Sequence, residues 1–422
     1  MRVTFLVPNY SPSIGGAQLH VQRVAEGLVA RHGHRVEVVT TDALRAPGGA
    51  DAGVIVERED WINGVHVRRE PVARRTHSVL RDLRRLGRRL HVYRTGSNTM
   101  LVAGPLGRKL ATTALRVSRR SDVVVGVGAP SATLWWADLL GRRTSAAVVA
   151  LPLLHVSERP QRRWVLRSLR RADGTSVATG YEQDWLWRRV VPSDRTAILP
   201  PGCDPSQFPQ VDPSSARERL GLADHPTVGF LGRMAAHKGV DTLVEAMRTV
   251  WIERPDVQLL LAGDRTGWDL AGVLGRLDPA ERDRVMWKES VSEEDKVWLL
   301  AASDVVAFPS RSESFGMVTL EAWCARRPVV AGDIPAVRCL IRPGLDGVLV
   351  PPGDVAALAD ALGRLLGDAA SREAYGAAGR LRAESEFSWD HIVDLWHAFL
   401  VGSVERASST SSRTVATRIG DA

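Results

Sequence analysis

Two glutamates in the stretch Ser310–Pro328 (SRSESFGMVTLEAWCARRP) are placed to bind a ligand that carries phosphate and hydroxyl groups. Glu313 and Glu321 stand eight residues apart, with a glycine between them. The stretch opens as a polar loop and continues with apolar residues at helical spacing, and Ser312 or Ser314 is predicted to cap this helix. A helix that begins beneath a glycine-containing loop presents free N–H groups and partial positive charge to a phosphate. The alternative is an ordinary strand–loop–helix unit with two solvated glutamates.

A second candidate is the loop Gly232–Gly239 (GRMAAHKG), in which Arg233 and Lys238 are five residues apart. Two cations at this spacing can neutralise a diphosphate without a metal ion. Only four of the 56 basic residues are lysines, so Lys238 weakly indicates a position that requires a compact ammonium. The spacing differs from a P-loop, because Val240 follows where a magnesium-binding hydroxyl would stand. The alternative is a solvated loop with two surface charges.

Two weaker candidates lie in the first half of the chain. Gly15 and Gly16 follow the first predicted strand, where backbone N–H groups can approach a phosphate or a sugar. A tight turn is the alternative, and the dinucleotide fingerprint G-x-G-x-x-G is absent. His155 follows another predicted strand, whose carboxyl end faces the ligand crevice in doubly wound folds. A lone histidine is more often structural, and this alternative stays open.

Strands and helices alternate in two successive runs. The predicted strands are 2–8, 35–40, 65–68, 122–126, 146–151, 174–178 and 196–199 in the first run, and 227–231, 257–262, 285–287, 304–309, 329–331 and 348–351 in the second. This pattern predicts an α/β protein with two doubly wound, Rossmann-like domains that face each other across a cleft. We expect the N-terminal domain at 1–203 and the C-terminal domain at 204–387. A last helix is expected at 388–402, followed by a disordered, Ser/Thr-rich tail at 403–422.

Composition sets the class of protein. A chain of 422 residues, 44% hydrophobic and 25% charged, is typical of a globular protein with two domains. No apolar run is long enough to cross a bilayer, and the N-terminus has no signal-peptide pattern. The three cysteines are odd in number and lack metal-binding spacing. We therefore expect a reduced, cytoplasmic protein without structural zinc.

The positive charge is concentrated in residues 74–120, which hold thirteen Arg or Lys and a single acid, Asp82. Part of this region, from Val79 to Tyr93, has apolar residues at helical spacing and predicts a basic amphipathic helix. A solvated arginine face, an anionic membrane surface and an anionic soluble acceptor are three possible uses of it. Nucleic-acid binding is not predicted, because no nucleic-acid fold signature accompanies the charge.

These elements together resemble the retaining nucleotide-sugar glycosyltransferases of the GT-B fold, glycosyltransferase family 4. The resemblance extends over almost the whole chain. Its segments are SPSIGGAQLHV, RHGHRVEVVT, LPPGCDPSQF, FLGRMAAHKGVDTLVEA, LAGD, SESFGMVTLEA, RPVVAGDIPAVR and DGVLVPPGD. The most specific element is the Glu-x7-Glu pair downstream of the Gly-Arg…Lys-Gly loop. The resemblance also implies that the C-terminal helix crosses back to the N-terminal domain.

By this resemblance, the donor diphosphate is neutralised by Arg233 and Lys238. Gly16, in the Gly15–Gly16 pair, contacts the distal phosphate. The backbone groups implied to bind the phosphate are those of Phe315, Gly316 and Met317, with Val318 close by. All of these residues are therefore expected in the donor-binding set.

The resemblance assigns the remaining roles to single side chains. Glu313 contacts hydroxyls of the transferred sugar, and Glu321 holds the ribose hydroxyls. Val291 lies beside the base, and His155 lines the acceptor side near the anomeric carbon. The catalytic set expected on this basis is Glu313, Lys238, Arg233 and His155.

The activity implied is that of a hexosyltransferase-type enzyme (EC 2.4) that acts by front-face attack on a nucleoside diphosphate sugar. The acceptor is a hydroxyl group of a glycan, a glycolipid or a small molecule. No cofactor and no metal ion are expected, in agreement with the absence of an Asp-x-Asp triplet. A location on the inner face of the membrane is the alternative to a purely cytoplasmic one. Two alternative functions are a nucleotide-sugar epimerase or hydrolase and a non-catalytic nucleotide-sugar-binding subunit.

Four positions depart from the family pattern. Gln18 stands where Glu is usual, Pro201 replaces Asn, and Arg327 replaces the Gly before Pro-Val-Val. Cys339 stands in place of a frequent Glu. None of these is a residue assigned to the diphosphate, so they bear on substrate preference rather than on activity.

Overall fold

The structure is a computed structural model that describes residues 1–13, 15–44, 53–72, 107–141, 143–154, 156, 163–189 and 191–420. The chain forms two units, Met1–Pro200 together with Ile392–Ala422, and Pro201–His391. These divisions lie within a few residues of the predicted 203/204 and 387/388 boundaries. Within the described residues, no helix is both long enough and apolar enough to span a membrane.

The first unit is built on an eight-stranded sheet in the order β3-β4-β2-β1-β5-β6-β7-β8. Its strands are β1 (Arg2–Leu6), β2 (Arg35–Thr41), β3 (Glu59–Ile62), β4 (Val65–Glu70), β5 (Val123–Val127), β6 (Ala147–Leu151), β7 (Gly174–Val177) and β8 (Thr196–Ile198). Its helices are α1 (Gly16–His32), α2 (Arg108–Ser118), α3 (Ala132–Gly141), α4 (Arg163–Arg171) and α5 (Gly180–Trp187), with a 3-10 turn at Ser193–Arg195. The apolar runs of β1, β5 and β6 are buried on both sides, as in a parallel sheet covered by helices.

One strand of this sheet, β3, was not predicted, because its four residues, EDWI, are too few to show a period of two. It pairs antiparallel with β4 at the sheet edge, whereas the other neighbours are parallel. Trp61 of β3 is 70% exposed and stacks on His66, with ring centroids 4.7 Å apart. An edge strand with few buried side chains gives little pattern in the sequence.

The second unit contains a six-stranded, all-parallel sheet in the order β11-β10-β9-β12-β13-β14. Its strands are β9 (Thr227–Leu231), β10 (Gln258–Ala262), β11 (Val285–Lys288), β12 (Val305–Phe308), β13 (Val329–Gly332) and β14 (Val348–Val350). Its helices are α6 (Pro213–Leu220), α7 (Val240–Glu253), α8 (Leu270–Leu274), α9 (Pro279–Arg282), α10 (Glu293–Ala302), α11 (Met317–Cys324), α12 (Pro335–Arg338), α13 (Val355–Gly367) and α14 (Ala369–Ser385), with 3-10 turns at Pro205–Gln207 and Ala236–Lys238.

Helices cover both faces of this second sheet. On one face, Val228 and Phe230 of β9 share a core with residues of α7 and α13, among them Leu243 and Leu362. On the other face, Gly229 lies against Ser303 at the end of α10, where an added Cβ would meet the Ser303 Oγ at 2.1 Å. The predicted doubly wound, Rossmann-like arrangement is therefore confirmed for this unit.

The last helix, α15 (Trp389–Gly420), packs on the first unit from Ile392 onward. Asp394 accepts hydrogen bonds from Arg31 (2.9 Å) and pairs with His32 (2.8 Å), so the C-terminal helix does cross back to that unit. The prediction of a disordered tail from 403 is wrong, because the helix continues to Gly420. Ser403 is buried and Arg406 donates to the Asp173 carbonyl at 3.0 Å, which keeps the helix docked beyond its predicted end.

Most of the basic region 74–120 lies outside the described residues, including the predicted amphipathic helix from Val79 to Tyr93. The described part contains α2, whose buried residues are Leu110, Thr113, Ala114, Val117 and Ser118.

Candidate functional site

The candidate site of the second unit is built on two loops that follow adjacent strands. The loop after β9 carries Arg233 and Lys238, and the loop after β12 carries Glu313. Strands β9 and β12 are neighbours in the sheet although four α-helices and two strands separate them in the sequence. Because carboxyl ends of parallel strands share one sheet edge, the two loops meet.

Arg311 fastens these two loops together. Its backbone N–H donates to the His237 carbonyl at 2.7 Å, and its guanidinium donates to the Ala236 carbonyl at 2.9 Å. The same guanidinium bonds Asp241 at 2.8 Å and Thr242 at 2.7 Å, at the start of α7. Sequence reasoning missed Arg311, since one arginine among many carries no distinct signal.

Gly239 allows the two loops to approach closely. Its φ is 73°, a left-handed conformation that side chains other than glycine's rarely adopt. A Cβ at this position would lie 2.1 Å from the Pro309 carbonyl oxygen. Glycine is therefore required at position 239 both by the close packing of the two loops and by the left-handed backbone conformation.

Lys238 and Glu313 form a direct ion pair at this junction. The Lys238 Nζ lies 2.5 Å from the Glu313 Oε1, and the two side chains are 15% and 10% exposed. The ammonium also lies 5.8 Å from the centre of the Phe308 ring. A pair that is this well shielded from water interacts strongly with any further charge placed beside it.

The start of α11, at Met317, lies four residues after Glu313 in the chain. The predicted cap by Ser312 or Ser314 is wrong, because Gly316 is the N-cap residue and no side chain caps the helix. Gly316 has φ 106°, which a serine would not readily adopt. The N–H groups of the first two residues of α11 consequently have no acceptor among the described residues, which suits an anion. Met317 and Val318, predicted to lie near the phosphate, are the first two residues of this helix.

A second lysine–glutamate pair lies further along α11. The Lys296 Nζ, on α10, is 2.9 Å from the Glu321 Oε1 and 2.9 Å from the Glu293 Oε1. Burial raises the pKa of the Glu321 carboxyl, and the Lys296 ammonium offsets part of that shift. Burial by itself would lower the pKa of Lys296, but the carboxylates of Glu321 and Glu293 prevail and raise it. Sequence reasoning gave Lys296 no role.

Arg233 has a different environment from the two lysines. Its side chain is exposed and makes no hydrogen bond or ion pair with the described residues. The loop that carries it is fixed by its neighbour, since the Met234 N–H donates to the Asp264 carbonyl at 2.9 Å. Arg233 is thus a cation without a partner in the described part of the chain, carried on an anchored backbone.

The other predicted site residues are more dispersed. Phe315 is 5% exposed, and Val291 is half-buried in the loop between β11 and α10. In the first unit, Gly15 is the N-cap and Gly16 the first residue of α1, again without a side-chain cap. His155 lies outside the described residues. Among the residues that the structure describes, no three His, Cys, Asp or Glu side chains are grouped to hold a metal ion.

Two family models match the chain and together include most of it. Residues 15–202 match the glycosyl transferase 4-like domain, and residues 225–368 match the glycosyl transferases group 1. The chain belongs to the glycosyltransferases. Its two Rossmann-like units are the two halves of a GT-B fold.

Known relatives agree with this assignment to the glycosyltransferases. D-inositol 3-phosphate glycosyltransferase of Xylanimonas cellulosilytica is 38% identical over 209 residues, which are 47% of this chain and 49% of the relative. The chain thus spans about half the length of the curated relatives that it matches.

Solved structures show the same fold over nearly the whole chain. Sucrose-phosphate synthase from Thermosynechococcus elongatus has a TM-score of 0.70 at 22% identity. The match covers 94% of this chain and 97% of the synthase chain. The Anabaena protein HepE, in complex with UDP and glucose, has a TM-score of 0.70 at 20% identity, with 94% and 99% covered.

Proposed function

We propose that this chain transfers a sugar from a nucleoside diphosphate sugar to a hydroxyl group of an acceptor, with retention of configuration and without a metal ion. The observation that carries the proposal is the Lys238–Glu313 pair, 2.5 Å apart and adjacent to the uncapped start of α11. A cation, an acid and a helix N-terminus at one sheet edge match a ligand that joins a diphosphate to a polyhydroxyl group. The HepE structure, which contains UDP and glucose, supports a ligand of this class.

The leaving diphosphate is the first group to be stabilised. When the bond between the anomeric carbon and the diphosphate oxygen breaks, negative charge grows on the diphosphate. Lys238, Arg233 and the N–H groups at the start of α11 are the proposed partners of that charge. Of these, Lys238 and the backbone N–H groups are already fixed, so they need little reorganisation as the charge develops and can lower the barrier without a metal ion.

The two glutamates are proposed to hold hydroxyls at opposite ends of the donor. Glu313, through its pairing with Lys238, is positioned for hydroxyls of the transferred sugar. Glu321 accepts from the ribose hydroxyls. Retaining hydrolases use a carboxylate nucleophile, but here Glu313 is already engaged by Lys238, and we assign it to positioning.

The proposed transfer step occurs on one face of the sugar. The acceptor oxygen forms a bond to the anomeric carbon as the bond to the diphosphate breaks. The proton of the acceptor hydroxyl passes to an oxygen of the departing phosphate. This step balances without a protein base and without a further reactant.

Several finer assignments remain predictions. They are Val291 beside the base, Gly15 and Gly16 near the distal phosphate, and His155 on the acceptor side. Two further predictions are attachment to an anionic membrane through residues 74–120 and a cytoplasmic location.

The test is a panel of nucleotide sugars, among them UDP-glucose and GDP-mannose, incubated with the protein and EDTA. Release or transfer of sugar identifies the donor, and NMR of the glycoside formed gives its anomeric configuration. Retention of the donor's configuration in the presence of EDTA is expected. Inversion, or a strict requirement for added metal, would contradict the proposed mechanism.

The same panel separates the two alternatives. An epimerase or hydrolase would release or isomerise sugar at full rate without any acceptor. A non-catalytic subunit would bind a nucleotide sugar and never turn it over. The intact set of Arg233, Lys238, Glu313 and Glu321 favours the transferase.

A further inference from the structure

The acid proposed to bind the ribose, Glu321, sits in an apolar part of α11. Its helical neighbours Leu320, Ala322 and Trp323 are fully buried, and its own side chain is 15% exposed. A carboxylate in such surroundings loses hydration and tends to take up a proton. A protonated carboxyl group can no longer accept hydrogen bonds at both oxygens from a pair of neighbouring hydroxyls.

Lys296 counteracts this tendency from the neighbouring helix. Its Nζ contacts only one of the two carboxylate oxygens, the Glu321 Oε1, at 2.9 Å. The other oxygen, Oε2, accepts no hydrogen bond from any of the described residues. The carboxylate is therefore held at one oxygen and left with acceptor capacity at the other.

The lysine is itself held in place. Glu293, three residues earlier on α10, also contacts the ammonium at 2.9 Å. The start of α10 is fixed by a capping box, in which Ser292 accepts from the Asp295 N–H at 3.0 Å and Asp295 accepts from the Ser292 N–H at 2.9 Å. The lysine is only 19% exposed, so its position is set by these contacts.

The place of Lys296 on its helix also needs a reason. It follows three acids, Glu293, Glu294 and Asp295, in the first turn of α10, which suit the positive end of the helix dipole. A cation directly after them opposes that dipole. The ion pair between Lys296 and Glu321 offsets this unfavourable interaction with the dipole.

We infer that Lys296 is a positioning residue for the donor nucleotide, fixing the Glu321 carboxylate so that its free oxygen accepts from the ribose and favours ribonucleotides over 2′-deoxyribonucleotides. The inference rests on the proposed function, because it takes a nucleoside diphosphate as the ligand of this site. It adds a residue on a different helix that does not touch the ligand itself.

The test compares Kd values for UDP, GDP and ADP with those for their 2′-deoxy forms, by isothermal titration. The variants are Lys296→Gln, the conservative Lys296→Arg, and Lys288→Gln as a matched control. Lys288 pairs with Asp295 at 3.0 Å at the same end of α10, so its loss removes a nearby charge without touching Glu321. Circular dichroism and thermal unfolding verify that each variant is folded.

For the ribonucleotide that binds best, Lys296→Gln is expected to weaken binding about tenfold, the effect of one charged hydrogen bond. Binding of its 2′-deoxy form, which offers the carboxylate one hydroxyl instead of two, should weaken by only about threefold. The pH at which ribonucleotide binding is half lost should rise, because the carboxylate has lost its ammonium partner. Lys296→Arg should restore most of the preference, and Lys288→Gln should match the wild type.

Equal weakening of both nucleotide forms would overturn the inference, since the lysine would then act only through general charge. Unchanged binding of both forms by Lys296→Gln would overturn it as well, while leaving the proposed function intact. If the wild-type protein bound none of the nucleotides, the proposed function would fail, and the inference with it.

Discussion

The two lysine–glutamate pairs of the second unit have similar geometry and different settings. Lys238–Glu313 joins two loops and has no second acid at its ammonium among the described residues. Lys296–Glu321 joins two helices, and its ammonium is shared with Glu293. One pair lies at the start of α11, beside uncapped N–H groups, and the other lies one turn into the helix.

This difference indicates separate roles for the two pairs, one in the reaction and the other in recognition of the nucleotide. An ammonium with a single acid partner can also bind a phosphate beside that acid, so Lys238 suits a group whose charge increases during the reaction. An ammonium between two carboxylates is already neutralised and serves to place an acid. We therefore expect the first pair to bind the diphosphate and control turnover, and the second to control recognition of the ribose.

The largest expected effect follows from breaking the first pair. Lys238→Ala or Glu313→Ala should lower turnover by about 1,000-fold or more, because a fixed partner of the reacting donor is lost. Steady-state assays with the donor found in the panel measure this, with circular dichroism to establish folding. Full activity in either variant would remove the roles assigned to the pair.

A smaller effect is expected when the loop contact beneath Lys238 is disturbed. Gly239→Ala forces a Cβ against the Pro309 carbonyl, whereas Gly221→Ala, at φ 71°, meets no atom within 4 Å. In both variants the left-handed backbone should lower the free energy of unfolding by about 1 kcal/mol. In Gly239→Ala, overpacking should lower it by about 2 kcal/mol more. Urea unfolding and turnover assays compare them. Equal stability and equal activity of the two variants would show that the close approach is unimportant.

The second pair predicts a pH dependence of nucleotide binding. Burial raises the pKa of the Glu321 carboxyl, so it takes up a proton at a higher pH than an ordinary glutamate. Affinity should be complete above this raised pKa and fall as pH decreases through it. Titrations from about pH 8 to about pH 4.5 should show this decline in the wild type and a flatter profile in Glu321→Gln. Identical profiles would contradict the role of Glu321.

His34 and His397, where α15 packs on the first unit, offer a contrast to the lysine pairs, because each has a lowered pKa that favours the neutral ring. The His34 Nε2 lies 2.9 Å from the His397 Nδ1, and the His32 and His397 rings stack 3.9 Å apart. Burial, the N-terminal ammonium and the neighbouring histidines lower the pKa of His34 to about 4. Folding lowers the pKa of His34, so the unfolded state takes up a proton more readily than the folded state. The contribution of His34 to the free energy of unfolding is therefore complete above pH 6.5 and is lost as the pH falls towards 4.

The smallest expected effect is therefore on stability alone. Unfolding free energy, measured by urea titration at successive pH values, should decline between these two limits. His34→Gln should flatten the decline, because it removes a group that must be kept neutral. A wild-type protein equally stable at both limits would contradict this account of the histidine cluster.

The sequence predicted most of the fold because buried parallel strands are strongly apolar. The strands from β9 to β14 were located to within one or two residues, since each is a short apolar run between turn residues. Edge strand β3 and the continuation of α15 after residue 402 were missed, because neither has a clear apolar period. Their structure depends on pairing with β4 and on docking against the first unit.

The site was predicted in its parts and not in its contacts. Lys238 and Glu313 were identified separately, but they are 75 residues apart, and their pairing follows from β9 and β12 being neighbours in the sheet. Arg311 and Lys296 were missed for the same reason, since each acts on a partner from another strand or helix. Helix capping was mispredicted, because residue type favoured serine and only the backbone geometry at Gly316 excluded it.

One measurement tests the central claim, that the sheet edge carrying Lys238 and Glu313 binds a nucleoside diphosphate sugar. The wild-type protein and Lys238→Ala are titrated calorimetrically with UDP-glucose and GDP-mannose in EDTA, with Lys288→Gln as control. We predict that one donor binds the wild type and the control equally, and binds Lys238→Ala at least about tenfold more weakly. Unchanged affinity in Lys238→Ala, with a folded protein, would contradict the claim.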